Sequence, residues 1–213
     1  MKNISVLLFL LITLALNAQN NKTSGLNARQ FHKYWKVESE SPDYKVTFLG
    51  DTVEILSPKG LTLWRKEKMS GKVTIEYDAC VVVEVEGDRL SDLNCFWMAS
   101  DPQYPDNIWK REKWRGGIFL NCYSLQLYYM GYGGNHNSTT RFRRYDGNEA
   151  AITNAKARPA ILKEYTDADH LLEANKWYHI KITNENNRVS YYINGVRLVD
   201  FRDAEPLTEG WFG

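Results

Sequence analysis

Alternation of apolar and polar residues with a period of two, interrupted by turn-forming pairs, constrains this chain more than any other feature. Residues 44–49 and 52–56 alternate on either side of Gly50-Asp51, and 189–193 and 196–201 do so around Asn194-Gly195. An Asn-Gly pair between such runs specifies a tight hairpin, because both central residues need positive φ. Residues 61–65 follow a Pro58-Lys59-Gly60 turn, and 72–86 read as a long strand whose middle is apolar on both faces. Segments 93–99, 117–122, 125–132 and 177–183 continue the series, and only 167–174 reads as a short helix. About ten short strands with almost no helix predict an all-β fold, a two-sheet antiparallel β-sandwich or jelly roll.

Ahead of the strands, Lys2, an apolar run over 6–16 and Asn17-Ala18 before a polar stretch read as a secretory leader over 1–18. The run is shorter than the roughly 18–20 apolar residues that span a bilayer, so the expectation is an exported, periplasmic or secreted protein with no membrane attachment after leader removal. Residues 19–40 read as an N-terminal segment and 41–213 as the jelly-roll domain. Gly210-Trp211-Phe212-Gly213 has the pattern of a strand beginning, which leads us to expect that one or two closing strands lie beyond it. With 27 basic and 26 acidic residues, no global field favours nucleic acid or a membrane surface. Seven tryptophans and thirteen tyrosines suit both a large β-core and a sugar-binding cleft.

The three cysteines, Cys80, Cys95 and Cys122, lie in apolar segments and read as buried, with one bridge between neighbouring strands as the alternative. No CxxC or HxxxH spacing points to zinc, so no metal ligands and no cofactor are expected. A structural calcium ion in an Asp-rich loop is allowed, without EF-hand spacing to support it. Segments 100–115 and 146–163 are long enough to be functional loops.

The segment LQLYYMGYGGNHNSTTRFRRY, residues 125–145, concentrates chemistry in a strand–turn–strand unit. Its tyrosines stack on sugar rings, and Arg141 and Arg143 alternate onto one face while Arg144 points to the other. Such guanidinium groups clamp a carboxylate or sulfate bidentately. Trp109 and Trp114, in a polar loop, are candidates for a stacking platform or lid, and Trp97 for core or cleft wall.

The stretches 175–182 and 191–201, with the Gly-Trp-Phe-Gly at 210–213, resemble the concanavalin A-like jelly-roll superfamily. Residues 132–145 and 161–167 look closer to jelly-roll domains exported by polysaccharide-degrading bacteria and associated with breakdown of uronic-acid glycans, a group that includes polysaccharide lyases. The resemblance implies an anionic polysaccharide or oligosaccharide as partner and β-elimination as chemistry, by a lyase or a dehydratase.

Hydrolysis fits less well. The resembling glucanases carry Glu-x-Asp-x-x-Glu, placing two carboxylates about 5 Å apart; here Glu76-Tyr77-Asp78 is followed by Val81. Elimination needs a base, an acid and a group that neutralises the carboxylate of the sugar. His136 and Tyr132 are the candidates for proton transfer, with Arg141 as catalytic cation. Asn135, Tyr128, Arg143, Tyr145, Trp97, Trp109 and Trp114 are the candidate substrate-binding residues. Two rivals share the fold, a non-catalytic carbohydrate-binding module and a glycoside hydrolase drawing carboxylates from Asp101, Asp106 or Glu112.

Overall fold

The computed structural model describes residues 6–11 and 27–213. The strands are β1 (Val6–Leu11), β2 (Trp35–Ser39), β3 (Lys45–Leu49), β4 (Thr52–Ser57), β5 (Leu61–Arg65), β6 (Met69–Ser70), β7 (Val73–Val82), β8 (Leu93–Ser100), β9 (Gln126–Gly133), β10 (Thr139–Asp146), β11 (Lys163–Tyr165), β12 (Trp177–Glu185), β13 (Arg188–Ile193), β14 (Val196–Arg202) and β15 (Glu209–Gly210). They form the antiparallel β-sandwich expected from the alternation. One sheet has the order β14-β13-β12-β7-β1-β4-β3, and the other contains β11-β10-β9-β8.

The second sheet continues past β8. Trp211 N donates to Ala99 O at 2.8 Å, Gly213 N to Phe96 O at 3.0 Å, and Arg65 N to Phe212 O at 2.7 Å. Residues 211–213 therefore lie between β8 and β5, and β5 pairs in turn with β2. Close approach at this junction requires glycine: a Cβ on Gly210 would sit 2.2 Å from the Met98 carbonyl carbon.

Period-two alternation puts Val73, Ile75, Tyr77, Ala79 and Val81 of β7 and Ile180 and Ile182 of β12 in the core. They face Cys95 and Trp97 of β8, Tyr128, Met130 and Tyr132 of β9 and Phe142 of β10. Trp97 is fully buried there, stacked on Phe142 at 5.9 Å and Tyr191 at 6.3 Å. A second apolar cluster lies on the opposite face of the second sheet, where Trp64, Phe96, Leu127, Tyr129 and Tyr145 are covered by Ile108, Cys122, Tyr123 and Ala151 from the long loops.

Several expectations are corrected. Residues 117–122 are not a strand: Gly116 and Gly117 turn the chain at φ 55 and 72, and Phe119–Ser124 forms a 3-10 helix over the outer face. The helix expected over 167–174 is a single 3-10 turn, Ala168–His170. The long strand ends at Val82, because the Asp88 carboxylate accepts the N–H groups of Glu84 and Val85 and closes a turn. The domain does not begin at 41: helix Ala28–Tyr34 and β2 belong to the sandwich, with Phe31 and Trp35 in its core. As expected, by contrast, all three cysteines are buried, and they are free thiols. Apart from Val6–Leu11, which is strand β1 between β7 and β4, the expected leader over 1–18 lies outside the described residues.

Candidate functional site

The outer face of β8, β9 and β10 opens into a cavity of about 720 Å³, a size that suits a small ligand. Alternation decides what reaches it. Along β10, Arg141, Arg143 and Tyr145 point outward, while Phe142 packs inward; along β9, Tyr129 and Gly131 point outward. The registers Arg141↔Gly131 and Arg143↔Tyr129 place these side chains in adjacent rows. Gly131 has a steric role: a Cβ there would lie 2.2 Å from the Tyr129 hydroxyl, so its absence lets the Tyr129 ring lie along the strand. Asn94 and Phe96 of β8, Arg89 and Asp92 before it, and Phe119, Tyr123 and Arg158 from the covering loops complete the wall. At its inner end the cavity passes beside β5 to reach Tyr77, Cys95 and Phe212.

The arginines differ in electrostatic state. Arg141 is paired with Glu164, and Arg89 with Asp92. Arg143 donates to the Pro159 carbonyl oxygen, and Arg158 lies over the Tyr123 ring at 5.5 Å. Among the described residues, neither Arg143 nor Arg158 has a carboxylate partner, so the cavity holds two guanidinium groups with unbalanced charge.

Four polar atoms of the residues lining the cavity are buried without hydrogen-bond partners: Trp35 Nε1, Arg89 Nε, Asn94 Oδ1 and Tyr145 Oη. Tyr145 is 1% exposed and stacks on Tyr123 at 4.8 Å. Burial, reinforced by Tyr129 and Tyr123, pushes its phenol well above the ordinary range. The group is a neutral hydrogen-bond donor at physiological pH. Buried polar groups are normally satisfied; these atoms lie behind the cavity surface rather than on it.

The structure brings together Arg141, Arg143, Tyr145 and Asn135 among the residues singled out in the sequence. Others it separates. Tyr132 is buried on the inner face, donating its hydroxyl to Leu171 O at 3.1 Å and meeting Tyr178 edge-on. Tyr128 is also in the core, donating to Asp203 at 2.6 Å, and Trp97 is core rather than cleft wall. His136 lies exposed in a turn where Asn135, His136 and Asn137 all have left-handed φ of 54–58°, outside the cavity. His136 and Tyr132 therefore do not form an acid–base pair. Arg144 points inward and pairs with Asp203. Trp109 is half-buried, edge-on to Trp211, and Trp114 is exposed beneath the Arg111 guanidinium. Tyr129, Tyr123, Asn94, Phe119 and Arg158 were not foreseen as site residues. The alternation that puts Arg141 and Arg143 on one face also puts Tyr129 and Gly131 together, but nothing in the sequence says which face of β9 is the core.

Two packed antiparallel sheets with a ligand-sized cavity on the outer face of one define a galectin-like β-sandwich. The fold is similar to a Bacillus subtilis protein of unknown function with a galectin-like fold, at TM-score 0.66 and 15% identity over 89% of this chain and 84% of that one. It is also similar to the carbohydrate-binding module CBM66 from Bacillus subtilis, at TM-score 0.52 and 17% identity over 84% of each chain. The chain belongs to the family described as Domain of unknown function (DUF6250), which residues 55–213 match. No curated protein matches it.

Proposed function

We propose that this protein is an exported carbohydrate-binding domain that takes an acidic glycan on the outer face of its second sheet. The observation that carries this reading is the pair Arg143 and Arg158, without carboxylate partners among the described residues, in one cavity with an aromatic wall. A sugar carboxylate or sulfate neutralises the guanidinium groups through charge-assisted hydrogen bonds, and the aromatic wall packs against the sugar ring. Likeness of fold to a carbohydrate-binding module supports the ligand class, although fold by itself does not fix function.

Calorimetric titration with a panel of uronate-bearing and sulfated glycans tests it. Binding to acidic but not neutral glycans, abolished in Arg143→Ala, is the expected result; equal affinity of wild type and variant removes the cavity from the reading.

β-Elimination is a second reading, carried by Arg143: a guanidinium on the sugar carboxylate stabilises the enolate formed when a base removes the adjacent proton and the leaving oxygen departs. Absorbance near 235 nm separates the two readings, because elimination creates a conjugated double bond and binding leaves the trace flat. Export is proposed on the leader pattern alone. Cleavage after Ala18 would vacate the place of β1, and the mass of the mature protein tests it.

A further inference from the structure

We infer that the apolar rim at residues 114–120 is a second subsite, on which the faces of further sugar rings rest as a glycan chain leaves the cavity. The inference rests on the carbohydrate-binding reading and adds the requirement that the ligand be an oligomer. Within seven residues, Trp114, Ile118, Phe119 and Leu120 are 45%, 40%, 37% and 38% exposed. Clustered exposed apolar groups on a soluble domain mark a contact surface.

The rim is held rigidly. Arg115, fully buried, donates to both carboxylate oxygens of Glu38 on β2, at 3.2 and 2.9 Å. Gly117 packs so closely on the end of that strand that a Cβ would lie 2.6 Å from the Ser39 Cα. Asn121 donates its amide to the carbonyl oxygens of Trp114 and Arg115, at 3.2 and 3.3 Å. An exposed apolar segment fixed at three points loses little entropy when it binds.

Continuity with the cavity identifies the occupant. Phe119 belongs to both surfaces: it lines the cavity, stacks on Phe96 at 6.2 Å and meets Tyr129 at a tilt at 5.6 Å, while its neighbours Ile118 and Leu120 are exposed. A chain anchored by an acidic group at Arg143 and Arg158 and directed towards Phe119 meets this rim next. The aliphatic groups and the Trp114 face turned away from the Arg111 guanidinium suit the C–H faces of pyranose rings, which need burial rather than hydrogen bonds.

The test compares a uronic-acid monosaccharide with uronate-bearing di-, tri- and tetrasaccharides by calorimetry, using wild type, Trp114→Ala and Leu120→Ser. In wild type, affinity should rise about tenfold with chain length. Trp114→Ala should lose that increment and keep the monosaccharide affinity, and Leu120→Ser should lose part of it. A tetrasaccharide bound equally well by wild type and both variants overturns the subsite. So does self-association of wild type in light scattering that Trp114→Ala abolishes, because the rim would then be an interface between copies. Equal affinity for monosaccharide and tetrasaccharide overturns the subsite but leaves the cavity reading standing. Failure of wild type to bind any glycan overturns the carbohydrate reading itself.

Discussion

Tyr145 holds its ring in a stack with Tyr123 while its buried hydroxyl meets no partner. A desolvated, unsatisfied hydroxyl costs about 1–3 kcal/mol, so Tyr145→Phe is expected to raise stability by about 1 kcal/mol, read from thermal melts. His136 offers a contrast: it holds a left-handed conformation, which costs an L-residue roughly 1–2 kcal/mol. His136→Gly should therefore stabilise the protein by about 1 kcal/mol in denaturant unfolding and leave glycan binding unchanged. In the sequence, Arg141 and Arg143 could be placed on one face by counting, because each position along a strand alternates. The catalytic pairing of His136 with Tyr132 could not be judged that way. Tyr128, Tyr129 and Tyr132 occupy both faces of β9, and the residue type does not reveal which face is the core.

At the scale of elements, the loop over the outer face depends on one buried ion pair. Burial raises the Glu38 carboxyl, opposed by the charge and hydrogen bonds of Arg115. Glu38→Gln would leave the fully buried guanidinium uncompensated. The expected cost is about 3–5 kcal/mol, read from the denaturant midpoint, with faster amide exchange over residues 108–121 than elsewhere. The hairpins β3–β4 and β13–β14 were legible because turn chemistry and alternation agree there. The 117–122 segment was not, because its apolar run serves the second cluster as a 3-10 helix, and the glycines that turn it are two ordinary letters in the sequence. β2 was missed for a related reason: Lys36 and Glu38 look like surface, yet Glu38 is buried against Arg115 from a loop distant in sequence.

For the molecule as a whole, Cys95 and Cys122 are packed into aromatic-rich clusters on the two faces of one sheet. Burial pushes Cys95 and Cys122 up to about 12, so a thiol-reactive dye should label neither in the folded protein at pH 7.5 and should label both after denaturation. The same shifts set an alkaline limit. An unfolded chain releases its thiol protons near pH 8.5 while the folded chain retains them. This contribution to stability is full below about pH 8.5 and is lost as pH rises towards 12, at roughly 1.4 kcal/mol per pH unit for each thiol. Denaturant midpoints measured between pH 8 and 10.5 should fall, and Cys95→Ala should flatten the decline.

Residues 211–213 join β8 to β5, and this has a consequence for the order of events during synthesis. They emerge from the ribosome after every other strand described. Until then the two parts of the second sheet, β2-β5 and β8 to β11, each present an unpaired edge, and the floor of the cavity is open. The nascent chain must therefore wait with its halves apart, and ligand recognition begins only when these late residues close the seam.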